Sequence, residues 1–123
     1  HFVPSFLANL YYRAAGASIK NGAQINTANL NDPGLISIGA NVVIGGAAVL
    51  NGHLVERGEL IFSPITIGDG ALIGTGVMIQ PGVHIGEGAV IASQAVVPKY
   101  KTIPSGEVWG GIPARKIKDS SRR

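Results

Sequence analysis

From Ile67 to Pro98 an aliphatic residue returns every six positions, as Ile67, Ile73, Ile79, Ile85, Ile91 and Val97. The fifth position of each hexad is also small and apolar, namely Ala71, Val77, Val83, Ala89 and Ala95, while the second and fourth are mostly Gly. Six is a multiple of the strand period of two and not of the helical 3.6, so each hexad predicts one short strand and one glycine-rich corner. Self-similarity at a fixed short period is the mark of a solenoid. Three such sides closing on themselves make a triangular coil of about eighteen residues, three hexads long.

Ahead of this run, Phe2, Phe6, Leu7, Leu10, Tyr11 and Ala14 recur at spacings of three and four, with Ser5 near the start and Gly16 at the end. That pattern predicts an amphipathic helix over residues 1–16. Its expected place is on the flank of the solenoid, covering the open end of the core. The other reading is a membrane-proximal helix, in which Phe and Tyr flank the single Arg13. The hexad begins at Ala17 with Ile19 and Ile25, slips by one residue through Asn26–Gly34, and resumes at Ile38, Ile44 and Leu50. A second interruption runs from Asn51 to Ser63. The solenoid is therefore predicted over 17–103, with loops near 29–34 and 51–63. A C-terminal segment, 104–123, follows, and its Lys118, Arg122 and Arg123 read as a mobile basic tail. Insertions in a solenoid become loops on one face, where function usually sits.

When positions one and five face the core, position six points outward. Here it carries Val43, Val49, Leu72, Met78, Val90 and Val96. Recurrent apolar side chains on the outside need covering, which predicts an assembly. Composition agrees: 46% hydrophobic against 14% charged residues leaves apolar surface that one chain does not cover. With 123 residues the chain is one domain, or one domain plus an arm. The net charge of +3 favours an anionic ligand such as a phosphate ester, but no basic stripe with interleaved aromatics is present, so nucleic acid is not expected. Without cysteine there is no disulfide framework, thiolate zinc site or cysteine nucleophile. No apolar run is long enough to span a bilayer and no signal-peptide layout is visible, so a cytoplasmic location is expected. The chain opens on His1 and reads as a piece of a longer protein.

The hexads are similar to those of the left-handed parallel β-helix acyltransferases, and the resemblance runs from Ala17 to Lys118. Beyond the repeat, Gly52-His53, Pro64-Ile-Thr-Ile-Gly68, Ile79-Gln-Pro-Gly-Val-His-Ile-Gly86 and Gly110-Gly-Ile-Pro-Ala-Arg115 resemble landmarks of the maltose, galactoside and xenobiotic acetyltransferase group. The resemblance implies left-handed coils, a homotrimer, and acetyl-CoA in a groove between neighbouring coils. The stretches on either side of His53 are shorter than in the sugar acetyltransferases. In this the chain more closely resembles the terminal domain of ε-poly-lysine-synthetase-like nonribosomal peptide synthetases, which implies a multidomain or membrane-proximal context and amino-acid joining as an alternative chemistry.

Acyl transfer from a thioester to a hydroxyl or amine needs a base for the nucleophile's proton, and an imidazole titrating near neutrality suits that task. His53, in the interrupted coil, matches the catalytic histidine of the group; the bland alternative is a surface-loop histidine without a role. Glu56 is a candidate to orient its ring or meet the acceptor, or a solvated loop residue. Asn31 and Asp32 are candidates for acceptor contact, or part of an Asn-Asp-Pro-Gly turn whose side chains bond their own backbone. His84, at a sixth position, reads as structural or solvated. The resemblance implies cofactor contacts at Gly74, Ala92, Gly110, Gly111, Ile112, Pro113, Arg115 and Lys116, with Arg115 or Lys116 on the nucleotide phosphates. Trp109 reads as packed on the last coil rather than stacked on adenine. No carboxylate pair, Ser-His-Asp order or His-rich cluster points to hydrolysis or a metal. A carbonic-anhydrase-like zinc protein is disfavoured because His53 and His84 offer too few ligands. The competing class is a non-catalytic trimerisation or scaffold module of a larger synthetase.

Overall fold

A computed structural model describes residues 5–26 and 29–120, with side chains from residue 9 onward. Phe2, Arg122, Arg123 and the side chains of Phe6 and Leu7 lie outside the described residues. The hexad closes into a parallel β-solenoid with three sheets, one to each side of a triangular coil. The first sheet stacks Ser18–Ile19, Ile36–Ile38, Ile65–Ile67, His84–Ile85 and Thr102–Ile103. The second stacks Gln24–Ile25, Val43–Ile44, Leu72–Ile73, Val90–Ile91 and Glu107–Gly110, with Arg115–Asp119 added antiparallel at its edge. The third stacks Asn29–Asn31, Val49–Asn51, Met78–Ile79 and Val96–Val97.

Each strand places one aliphatic residue inward, and parallel register stacks these into columns: Ile38 on Ile67 on Ile85 on Ile103, and Leu50 on Ile79 on Val97. The fifth-position residues Val42, Ala48, Ala71, Val77, Val83, Ala89 and Ala95 fill the space between them, and all are buried. Full burial of one such Ile contributes roughly 1.5–3 kcal/mol, so the repeat stabilises itself coil by coil. Trp109 pairs with Ile91 and packs half-buried against the core, the packing expected from sequence.

The corners differ. After the first sheet the turn residues include Gly39, Gly68 and Gly86, and after the second Gly45, Gly74 and Gly110. A Cβ on Gly68 would stand 2.7 Å from the Glu87 nitrogen, and one on Gly45 2.7 Å from the Thr75 nitrogen, so coils meet there backbone to backbone. After the third sheet the equivalent residues are Asn31, Asn51, Gln80 and Pro98, and the Asn31 amide donates to Asn51 Oδ1 at 2.6 Å. Both interruptions leave from this corner, on adjacent coils. The apparent slip of one residue resolves into two events, because Leu30 follows Ile25 by five positions and Ile38 follows Leu30 by eight. The first interruption is a single 3-10 turn, Pro33–Leu35. The second, expected as a loop, is a two-stranded antiparallel hairpin, His53–Glu56 with Glu59–Phe62, turning at Arg57 and Gly58 with positive φ.

The N-terminal helix, Ser5–Ala14, ends at Gly16 in the left-handed conformation expected of a C-terminal cap. It presents a different face from the one its spacing predicts. Leu10, Tyr11 and Ala14 are exposed, while Asn9 is buried and Tyr12 packs on the core. The reason is the open edge of the first coil, whose carbonyls have no preceding coil. Asn9 Nδ2 donates to Ala23 O at 2.7 Å and Arg13 Nε to Ile19 O at 2.9 Å. At the other end the turn after Gly110 folds back: Val96 N–H donates to Gly111 O and Ala114 N–H to Val96 O, burying Ala114. Lys118, read as part of a mobile tail, sits instead in the ordered strand Arg115–Asp119.

The outer faces also differ. The first sheet shows Ser18, Ser37, Thr66, His84 and Thr102 in register, whereas beyond the first coil's Gln24 and Asn29 the second shows Val43, Leu72, Val90 and Val108, and the third Val49, Met78 and Val96. One face is polar and two are apolar.

Candidate active site

Asp32 and His53 are twenty-one residues apart in sequence and meet because their segments leave the same corner on adjacent coils. Asp32 has φ 62°, in the left-handed region that Asp tolerates better than most residues, and its carbonyl accepts from Leu35 N–H to close the turn. Gly52 makes the approach possible: a Cβ there would stand 3.0 Å from Asp32 Cβ and 3.1 Å from Leu35 Cβ. The hairpin then places His53 so that Nδ1 is bonded to Asp32 Oδ2. A carboxylate on Nδ1 fixes the tautomer and ring orientation and leaves Nε2 as the nitrogen that can accept a proton. Phe62, the cross-strand partner of His53, lies with its ring centroid 6.1 Å away.

These two residues border a cleft of about 570 Å³. Asn29, Leu30, Asn31, Asp32 and Pro33 form one wall, and Tyr11, Tyr12 and Ala15 of the helix and its end form another. The tyrosine rings meet edge to face at 5.3 Å. Among the described residues, neither Lys nor Arg lines the cleft. Sequence reasoning assigned the helix to capping and missed its second task. The adjacent tyrosines in its last turn, unlike the aliphatic residues a pure cap needs, were the available signal.

Glu56 does not join this cleft. It lies three residues from His53 on one strand, so alternation turns it to the opposite face. Its carboxylate is paired with Lys99, whose hydrogen bond and charge hold it below the ordinary carboxylate range. His84 is exposed on the polar face of the first sheet and takes no part.

Gly74, Ala92 and Gly110 form a column on the corner after the second sheet, where a Cβ on Gly110 would stand 3.0 Å from Ala92 Cβ. Gly111, Ile112 and Pro113 continue it as an exposed turn with a cis Ile112–Pro113 bond. Lys116 lies between Asp119 Oδ1 at 3.1 Å and Glu107 Oε2 at 3.5 Å, and Asp119 above all raises its pKa. Arg115 has no side-chain partner among the described residues. Trp109 donates to Glu107 Oε1 at 2.9 Å and carries Lys101 Nζ 5.0 Å from its ring centroid. This column and His53 stand on different corners, and the column does not line the cleft beside His53. Among the described residues no cluster of His, Asp and Glu could hold a metal ion, and no helix is long and apolar enough to cross a membrane.

Fold and repeat together define a hexapeptide-repeat β-solenoid. Residues 64–99 match the family model described as bacterial transferase hexapeptide (six repeats). Among solved structures, the chain is similar to a hexapeptide-repeat-containing acetyltransferase from Vibrio cholerae at 32% identity and a TM-score of 0.75, covering 82% of this chain and 61% of that one. A second structure of the same acetyltransferase, in complex with acetyl coenzyme A, is similar at 25% identity and a TM-score of 0.72, covering 92% and 77%. A maltose O-acetyltransferase from Clostridium difficile 630 shares the fold at 23% identity and a TM-score of 0.66, covering 97% and 87%. The chain thus spans 61% of the length of the first of these structures. No curated protein matches the sequence.

Proposed function

We propose that this chain is an acyltransferase domain that moves an acyl group from acetyl-CoA, or another acyl thioester, to a hydroxyl or amine. The carrying observation is the Asp32 carboxylate on His53 Nδ1 beside a cleft large enough for a small molecule. His53 Nε2 takes the proton of the acceptor O–H or N–H as that atom attacks the thioester carbonyl carbon. The C–S bond then breaks and the departing thiolate receives the proton. In this reading the acceptor attacks the thioester directly, without an acyl-enzyme; the chain has no cysteine to form one on sulfur. Asn31 and Asn29 offer amides to the acceptor, and Tyr11 offers a ring face. With one carboxylate and no Lys or Arg among the described residues of its walls, the cleft favours neutral or cationic acceptors over anionic ones.

By resemblance to the acetyltransferases, the thioester belongs along the Gly74, Ala92 and Gly110 column, with the exposed turn of Gly111 to Pro113 beside it and Arg115 as the cation available to phosphate. Lys116 reaches phosphate only by leaving Asp119 and Glu107. Because column and base occupy different corners, the reading calls for a homotrimer in which neighbouring copies complete each site. The two apolar outer faces support it. A cytoplasmic location, where acyl-CoA is available, accords with this chemistry.

The test is thioester turnover by the wild type and His53→Ala across a panel of amines and sugars, with calorimetric titration of CoA. Loss of the base should cost roughly 10²- to 10⁴-fold in kcat/KM. Absence of both CoA affinity and His53 dependence would leave a scaffold module instead. A monomer at micromolar concentration by light scattering would count against the trimer.

A further inference from the structure

Beyond the His53–Asp32 bond and the half-buried Leu54 and Ile61 beneath it, the hairpin that carries His53 is held at its two ends. At its base the hold is main-chain: Gly52 N–H donates to Asn31 O at 3.3 Å, Ser63 N–H to Gly52 O at 3.0 Å, and Gly82 N–H to Ser63 O at 3.3 Å. In its outer half, among the described residues, one polar side-chain contact ties it to the solenoid, Glu56 on Lys99. The two are forty-three residues apart in sequence. Lys99 stands at the third corner two coils beyond Asn51, since Leu50, Ile79 and Val97 are successive core residues of that sheet. That corner is firmly seated. The neighbouring Tyr100 lies so close over Gly82 that a Cβ there would come within 2.4 Å of its ring, and Ser63 Oγ would be 3.0 Å away. The hairpin therefore lies along the outside of the solenoid, with its proton-accepting residue near one fixed end and its ion pair at the other.

A two-stranded ribbon fixed at its base alone is marginal in water and swings about its exit residues, here Gly52 and Ser63. His53 would swing with it and lose its alignment with Asp32 and the cleft. We infer that Lys99 and Glu56 form a latch that pins the hairpin and so sets the position of His53. Both are positioning residues: neither lines the cleft, and Lys99 acts from a coil that contributes nothing to it. The inference rests on His53 being the base. A half-exposed ion pair shifts an equilibrium only modestly, which matches a local device acting on one ribbon rather than on the fold.

Lys99→Met and Glu56→Gln, singly and together in the full chain, should each lower kcat roughly two- to fivefold. KM for the thioester and the melting temperature should stay unchanged, and backbone hydrogen exchange across 53–62 should quicken. The double variant should be no worse than either single one, and the exchanged pair, Glu56→Lys with Lys99→Glu, should recover most of the loss. Raising salt should bring the wild type toward the variants and leave the variants where they are. Unchanged exchange across 53–62 in both single variants overturns the latch, whatever the activity. Faster exchange with unchanged kcat overturns the positioning role, provided His53→Ala is impaired. If His53→Ala is fully active, the base assignment falls, and the positioning of a base with it, while the exchange data still report whether the hairpin is pinned.

Discussion

At two corners of the coil the chain turns on glycine and each coil rests directly on the backbone of the next, as Gly45 does on Thr75 and Gly68 on Glu87. At the third corner Asn31, Asn51, Gln80 and Pro98 take that place; the Asn31 and Asn51 side chains bond each other between coils, beside main-chain bonds such as Gln80 N–H to Val97 O. At Gly45 and Gly68 there is no slack, because an added methyl group collides with main chain. The amide corner has slack, and it is there that the chain leaves the coil twice, once for the turn of Asp32 and once for the hairpin of His53. Rigidity at two edges thus fixes the frame, and tolerance at the third lets two inserted segments meet.

The contrast can be broken most forcefully at a glycine corner. Gly68→Val should destabilise the chain by about 2–3 kcal/mol in chemical denaturation, since the new side chain drives into the Glu87 main chain. Gln80→Ala, at the amide corner, should cost less than about 1 kcal/mol; equal losses at both sites would erase the distinction. Next in size, Asp32→Asn keeps the shape of the turn and removes the charge behind His53. It should lower kcat by at least about tenfold with the fold intact by circular dichroism, and undiminished turnover would detach the first insertion from the chemistry. Smallest is Tyr11→Ala, which should raise KM for the acceptor by about threefold to tenfold and leave KM for the thioester alone. Equal changes in both would mean that the helix supports the whole site rather than one wall of it.

The solenoid was legible because Ile67 to Val97 never leave their six-residue spacing, and a period-six pattern admits no helix. The hairpin was not, because Val55, Leu60 and Phe62 outside are as apolar as Leu54 and Ile61 beneath, so no alternation betrays the strands. The Arg57-Gly58 turn between two β-prone runs was the clue that composition offered. The site was half legible. His53 stood out as the sole histidine in an interruption, but its partner could be named only once the coil placed Asp32 beside it, and nearness in sequence pointed wrongly to Glu56. The face of the helix misled for a different reason. Hydrophobic spacing assumes that a helix seeks an apolar surface, whereas here the adjoining surface offers the carbonyls of Ala23 and Ile19, which Asn9 and Arg13 meet.

Those two side chains bear on how long such a molecule can be. A repeat in which every coil presents the same edge to the next contains no instruction to stop, and identical molecules could in principle continue one another end to end. Asn9 and Arg13 occupy two acceptors of the first coil, and the turn burying Ala114 folds over part of the last, so neither end presents the bare edge of an interior coil. Growth by duplication is confined to the interior, where another eighteen-residue unit would lengthen the column of small residues and leave Asp32 and His53 together, but could carry Lys99 out of reach of Glu56.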